Sequence, residues 1–528
     1  MPAKSDVLFR IKFIIVLIAC AAPILVAEFV NTESTYIESD APPQTAPAAS
    51  APAAASASEI FVNLPALPAP APAVVKPDLL EVRFLLIGEH QGELEPCGCS
   101  GGQIGGQARM KTRLESLVQA DPNCIILDSG ELIKTYSPEG FKKIKAEGEK
   151  AILKMESLRG ETAASILGDM PISAVGLGLR DLSAGLEDAK LRAMLMQMPA
   201  DTTKYPTVAR TNILTNLSTN GAAPADPIVA SSIITTKTAA GESVAVLILS
   251  LADQESGLFT NPTAAARAEL EKNKGKYQFC AAIFHGVRDR ARAYAAAIPD
   301  VDLWLVGSGA GSPDTSPETA GGSLLIHAGD RGRNIVKITA ARKGNKCSAL
   351  QYEAIIVGAN DPSDAATQAV IDRYRSELAE AKLIEQLKNK RTVDPKMQQY
   401  AGSDACQACH PSAYEVWKSS KHAHALEDER FIKRNGAVDP ECIKCHVTGW
   451  YFDPPAGERS SYAGGGITDR FGRVSCESCH GPSYKHTLQP QVTKPLRDVT
   501  CEKCHDHDNS PNFDRLKYWP KIQHFKEK

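Results

Sequence analysis

Neither sign of charge is in excess in this chain: 59 Lys and Arg stand against 62 Asp and Glu in 528 residues, a formal charge of −3. So even a balance supplies no polybasic field and no acidic tail, which argues against nucleic acid as a partner. Methionine is scarce, with eight residues and none after Met397, so the C-terminal quarter has no thioether to offer a metal. Long apolar runs are also lacking, with one exception, Phe13 to Val30, which follows Lys4, Arg10 and Lys12. That charge bias keeps the N-terminus inside and sends the rest of the chain across a membrane. An uncleaved anchor, a cleaved signal and a lipoprotein signal ending at Cys20 are the three readings, and each one exports the protein. Residues 41–77 are an Ala/Pro/Ser tract with almost no charge, which cannot bury a core and reads as a semi-extended tether.

What is abundant is cysteine in one pattern. C-x-x-C-H occurs as CQACH (406–410), CIKCH (442–446), CESCH (476–480) and CEKCH (501–505). Chance at this composition gives roughly 0.01 such pentads, so the pattern is selected. C-x-x-C alone would fit a zinc knuckle or a redox disulfide. Neither explains a histidine directly after every pair, whereas a c-type haem does: two thiols add to the porphyrin vinyl groups and the adjacent histidine binds the iron. The reading is four covalently bound haem c, with Cys406, Cys409, Cys442, Cys445, Cys476, Cys479, Cys501 and Cys504 as attachment points and His410, His446, His480 and His505 as proximal ligands.

Residues 401–528 are too few to build an ordinary core around four haems, so the porphyrins themselves should supply much of it, packed closely enough for electrons to pass between them. With no methionine at hand, the second axial ligands should be histidines, which implies low potentials. The spare histidines here are His422, His424, His486, His507 and His524.

The stretch CQACHPSAYEVWKSSKHAHA, with Trp417, Ser420, His422 and Ala423 behind the first pentad, resembles the cytochrome c-554 family of multihaem proteins. CIKCHVTGW followed by Gly464, Gly465 and Gly466, then CESCHGPSYKH and CEKCHDHDNSPNFDRLKYWPKIQH, continue the likeness over the last 130 residues or so. The resemblance implies His422, His486 and His524 as distal ligands, with His424 ahead of His507 for the fourth position. It also implies that one iron can be five-coordinate, as in some relatives.

Upstream, VRFLLIG (82–88), CIILDSG (124–130), ISAVG (172–176), VAVLILS (244–250), CAAIF (280–284), VDLWLVG (301–307) and SLLIHAG (323–329) read as buried strands, with helical patterns such as ARMKTRLESLVQA and LEDAKLRAMLMQM between them. This is α/β architecture. The order GEHQG (88–92), LDSGE (127–131), AVGLGLRD (174–181), CAAIFHG, DLWLVGSGAG and IHAGDRGRNIVKI resembles the metallophosphoesterase domain of the periplasmic 5'-nucleotidase/UDP-sugar hydrolase family. The ligands that resemblance requires are mostly replaced: Asp-x-His-Gly by Glu89-His90-Gln91-Gly92, Gly-Asp by Gly130-Glu131, Gly-Asn-His-Glu by Gly176-Leu177-Gly178-Leu179, and Gly-His-x-His by Gly307-Ser308-Gly309-Ala310. His285 alone stands where a ligand should, so no divalent metal is expected here and the domain reads as a scaffold or docking surface.

Cys97 and Cys99 lie in a glycine-rich loop after the first strand. They read as a disulfide pair, one of them with Cys124 as a possible mate, or as a redox or metal-binding thiol pair beside Glu89, Glu95 or His90. Cys280 reads as core. Residues 361–391 have helical spacing at Val370, Tyr374, Leu378 and Ala381, with Pro362 in the first turn, and would span roughly 40 Å as one helix packed on one neighbour.

The fold class expected is therefore multidomain: a metallophosphoesterase-like α/β sandwich, its sheets flanked by helices, followed by a small, mainly helical, haem-packed tetrahaem cytochrome domain. The divisions are an anchor or signal segment (1–38), an Ala/Pro-rich linker (39–78), the α/β domain (79–358), a helical connector (359–398) and the cytochrome domain (399–528). The expected function is electron transfer on the periplasmic side of a membrane, between a membrane donor and a soluble or outer-membrane acceptor. The alternative is a multihaem enzyme with one open haem acting on a small nitrogen or sulfur compound; a metal-dependent phosphoesterase fits least.

Overall fold

Short runs of branched and aromatic residues bounded by glycine and proline build two sheets in the computed structural model. The structure describes residues 79–96, 103–132, 146–178, 181, 211–215, 217, 228–253, 259–307, 311–388, 400–450, 462, 466–491, 501–505, 510 and 513–524. The N-terminal apolar run, the tether, Cys97, Cys99, His507 and the helical pattern at 186–198 lie outside them. Among the described residues, no helix is long and apolar enough to cross a membrane.

The first sheet has the order β13-β12-β1-β2-β3-β4-β5. Strand β1 (Leu80–Ile87) pairs in parallel with β2 (Ile125–Asp128), followed by β3 (Ala174–Gly176), β4 (Thr211–Ile213) and β5 (Ile228–Val229). On its other side it pairs antiparallel with β12 (Asn334–Lys343), which continues to β13 (Lys346–Ile356). The second sheet has the order β10-β11-β9-β8-β7-β6 and comprises β6 (Ser231–Lys237), β7 (Ser243–Ala252), β8 (Phe279–His285), β9 (Leu303–Gly307), β10 (Glu318–Ala320) and β11 (Ser323–Ile326).

The sheets face each other through one apolar cluster in which Phe84 and Leu127 of the first meet Ile248, Phe279 and Leu305 of the second. Helices cover the outer faces. Helix α1 (Gln107–Ala120), α2 (Ala146–Gly168) and α5 (Ala365–Glu380) bury Leu114, Leu158, Ile371 and Tyr374 with the first sheet. Helix α3 (Pro262–Lys272) and α4 (Arg288–Ala297) bury Ala266, Leu270 and Ala291 against Trp304 of the second. All seven strands expected from apolar runs are present. The other six escaped that reading because β6 and β13 are largely exposed or half-exposed, because polar residues such as Lys337 and Thr339 interrupt β12, and because β4, β5 and β10 are only two or three residues long.

The connector departs from expectation. Helix α5 begins at Ala365, after Asp364 caps Thr367 N at 2.8 Å, so Pro362 lies outside its first turn. It ends at Glu380, and beyond Lys382, whose φ of 49° no helix accepts, α6 (Leu383–Lys388) starts afresh. Leu383 joins the α/β core, while Ile384 joins a cluster in the C-terminal part, so the break serves two neighbours rather than one.

Cys280 is fully buried in the α4 cluster, as expected. Cys124 is a free thiol bonded to Asp121 Oδ2 at 3.3 Å, and burial pushes it up to about 12.

Asp302 opens the way to a test of burial. Desolvation pushes its carboxyl up to about 6, against the backbone N–H of Cys280 at 2.8 Å and Arg342. A raised folded pKa gives stability that is full below about pH 4 and lost as pH rises through 6. Asp302→Asn escapes that loss, so its stability relative to the parent should improve by about 2–3 kcal/mol from pH 4 to pH 7. Denaturant midpoints at the two pH values measure it; an unchanged difference refutes the burial argument.

Candidate functional site: histidine pairs around the four pentads

In C-x-x-C-H the second thiol and the histidine fall three and four residues after the first thiol, which on a helix is one face. Two pentads are helical: α9 (Pro440–His446) is capped by Asp439 through Glu441 N at 2.8 Å, and α10 (Cys476–His480) by Ser475 through Glu477 N at 3.2 Å. The first pentad ends at His410, the residue before α7 (Pro411–Lys418), and the fourth opens as a 3₁₀ turn at Cys501–Lys503. The thiols of different pentads adjoin. Cys406 is raised, chiefly by its hydrogen bond to Cys476, and Cys476 is lowered to about 7 mainly by that same bond.

The fold then opposes one spare histidine to each of three pentad histidines. His410 and His486 stack with ring centres 6.4 Å apart, His505 and His422 lie 6.2 Å apart, and His480 and His524 5.8 Å apart. An imidazole nitrogen binds a transition metal at about 2.0–2.1 Å and its ring centre lies about 1.1 Å behind, so two rings on opposite sides of one ion hold their centres about 6.3 Å apart. The residues present therefore fit an iron between each pair.

His446 differs. Its ring lies flat on Phe431 of α8 (Glu429–Lys433), with centres 4.5 Å apart and planes 21° apart. Its Nδ1 donates to the Ala425 carbonyl at 2.8 Å, leaving Nε2 as the lone-pair nitrogen. His524 does the same through the Ile522 carbonyl at 3.1 Å, and His505 Nδ1 meets the buried Ser510 hydroxyl at 3.0 Å. Burial pushes His446 and His422 below their ordinary values, which favours the neutral, ligating ring.

His424 is engaged elsewhere. Both its nitrogens are taken, Nδ1 by Glu427 at 2.9 Å and Nε2 by the Lys418 carbonyl at 3.1 Å, on an exposed turn. His507, the remaining candidate, lies outside the described residues.

Residues that the motif reading passed over hold the pentads in place. Glu477, a spacer of the third pentad, is buried and accepts from Ala401 N (2.8 Å), Gly402 N (2.7 Å) and Ser483 N (2.8 Å). Trp417 Nε1 donates to the Val474 carbonyl at 2.8 Å, and the buried Thr448 hydroxyl donates to the Arg473 carbonyl at 2.6 Å while accepting from Ser475 N at 2.9 Å. The stretch 473–478 thus ties the first and second pentads to the third. The C-x-x-C-H pattern treats Glu477 as a blank, and the resemblance that picked out Trp417 and the stretch containing Thr448 gave neither of them this role.

In the α/β domain, the positions where the resemblance calls for metal ligands are filled otherwise. His285 Nε2 meets Ser250 at 3.3 Å and its Nδ1 lies 3.6 Å from Glu131, with burial pushing the ring down to about 4. A side chain at Gly178, where the resemblance puts a histidine, would begin 1.9 Å from Glu131 Oε1. His90 donates through Nε2 to Asp128 at 2.8 Å and accepts from Gln107 at 2.9 Å, and Glu95 is held by Arg375, so neither is spare for a thiol site. Among the described residues, no three of His, Cys, Asp and Glu converge to hold an ion. Ser308, Gly309 and Ala310 lie outside them.

Residues 405–481 match the family model described as cytochrome c554 and c-prime. The cytochrome c-554 of Nitrosomonas europaea is 29% identical over 147 residues, covering 21% of this chain and 60% of that protein. Among solved structures, the NAD nucleotidase of Haemophilus influenzae overlaps 57% of this chain and 60% of its own at 14% identity and a TM-score of 0.41. A calcineurin-like phosphoesterase of Bacillus subtilis overlaps 57% of this chain and 98% of its own at 13% identity and a TM-score of 0.40.

Proposed function

We propose that this chain is an exported c-type cytochrome with four haems, one on each pentad, that transfers electrons on the periplasmic side of a membrane to which its N-terminal segment tethers it. The observation that carries the reading is the opposition of three spare histidines to three pentad histidines at the spacing of two imidazoles on one metal. When bound, each haem supplies an iron that takes up and releases one electron. The chain's part is to hold it. Cys406 with Cys409, Cys442 with Cys445, Cys476 with Cys479 and Cys501 with Cys504 anchor the rings, and the paired imidazoles favour low potentials. The cytochrome match implies covalent haem c, and the multihaem character follows from the repeated pentads.

A second reading concerns His446 alone, since its ring is covered by Phe431 and, among the described residues, no histidine opposes it. That haem would keep an open face for a small nitrogen or sulfur compound, which makes the protein an enzyme at one haem and a carrier at the other three. The α/β domain acts as scaffold in either case. With 18 basic and 17 acidic residues in 401–528, steering of redox partners by charge should be modest.

Electron paramagnetic resonance of the oxidised protein is expected to show one high-spin ferric iron and three low-spin irons per chain. Wholly low-spin iron would remove the second reading. Mass spectrometry finding unmodified thiols in the exported protein would remove both.

A further inference from the structure

The segment 428–446, which carries His446 and the Phe431 ring stacked on it, meets the α/β part of the chain at three separate points. The first is the loop after β1. Arg434, which closes α8, donates through Nη2 to the Pro96 carbonyl at 2.7 Å, and its Nε lies 3.8 Å from Glu95. Glu95 is itself gripped by Arg375 of α5, through Nε at 3.2 Å and a second, shorter bond from Nη2. The second point is Arg159 of α2, 7% exposed and bonded to Glu156 at 3.1 Å. Burial acts to lower Arg159, and it is outweighed by Tyr374, by Glu156 and, across the junction, by Asp439 and Glu441, the cap and first-turn acid of the second pentad helix. The third is Ile384, which leaves the connector to pack in one cluster with Leu426, Phe431, Ile443 and Val447.

The first and third pentads are secured differently, to each other, through Glu477, through Ser403 on Cys476 N at 3.2 Å, and through Trp417. The second pentad shares in that network through Thr448, on its C-terminal side. On its N-terminal side, Arg434 ties the preceding segment to the loop after β1.

We propose that the α/β domain and its connector are a positioning device for the haem held by His446: Arg434 and Ile384 fix the segment 428–446 and thereby the seating of Phe431 on the His446 ring. They thus tune the haem whose proximal histidine, among the described residues, has no histidine opposite. The inference rests on the four-haem reading in taking His446 as a proximal ligand.

The test uses the full-length, haem-loaded protein and the variants Arg434→Gln and Arg434→Lys. Amide hydrogen exchange across 428–446 should quicken about tenfold in Arg434→Gln, the equivalent of a bond worth about 1.4 kcal/mol, while 401–422 exchanges as in the parent. The high-spin signal should shift or broaden with the three low-spin signals unmoved, and Arg434→Lys should recover part of both changes. Parent-like exchange over 428–446 together with an unaltered high-spin signal overturns the proposal. An unmodified Cys442 and Cys445 in the parent would overturn the haem reading instead, while the exchange data would still report whether the α/β domain holds the segment.

Discussion

Glu477→Ala should lower the stability of the cytochrome segment by about 3–5 kcal/mol, although Glu477 is neither a haem anchor nor an axial ligand. Its carboxylate is 2% exposed and accepts three backbone N–H groups, those of Ala401, Gly402 and Ser483. Hydrogen bonds to a charged group contribute about 1.5–3 kcal/mol each, and a buried donor left without an acceptor carries the full desolvation penalty. Alanine removes all three acceptors at once. Two of the donors lead directly into the first pentad, so the loss should also disturb the His410 and His486 pair. Glu477→Gln keeps one carbonyl oxygen but turns an amide donor toward other donors, and should lose roughly half as much. Denaturant unfolding followed by circular dichroism measures the loss, with amide exchange at 400–403 as the local readout. A Glu477→Ala protein within 1 kcal/mol of the parent would show that the third pentad does not anchor the first.

His486→Ala is expected to produce a second high-spin iron and one additional carbon monoxide bound per reduced chain. The ring it deletes is the one opposite His410 at 6.4 Å, and among the described residues no other imidazole lies in ring contact with His410. Loss of a strong-field ligand should also raise the potential of that haem. The matched control is His424→Ala. Its ring is bonded to Glu427 and the Lys418 carbonyl, so its removal should leave the spin states untouched. The opposite pattern, with His424→Ala gaining the high-spin iron, would mean that the ligand assignment is wrong. The two variants therefore decide between histidines that differ little in local sequence.

Much of the site was legible because its chemistry is local. A thiol, two spacers, a thiol and a histidine need no partner from elsewhere to be recognised, and their fourfold repetition named the cofactor class. The apolar strands were equally plain where both faces are buried, as in LLI of β1 or AAIF of β8. Strands with many exposed positions, such as β6 and β13, did not stand out. His422, His486 and His524 came from resemblance. The residues do not reveal that His422 meets His505 rather than the nearer His410, because such a pairing depends on where the chain turns between them. His424 shows the converse: it lies two residues from His422, yet its exposed turn gives its nitrogens to Glu427 and Lys418 instead.

By itself, the sequence determined the attachment chemistry, the α/β class of the larger domain and the replacement of the metal ligands there, since each is set by residue type at short spacing. Tertiary structure alone decided which imidazoles oppose each other, that His446 lies under Phe431, and that Arg434 reaches from the second pentad's segment to the loop after β1. Those facts are distances between segments far apart in the chain. Such distances follow from how sheets, caps and buried charges pack, and no short pattern of residues encodes them.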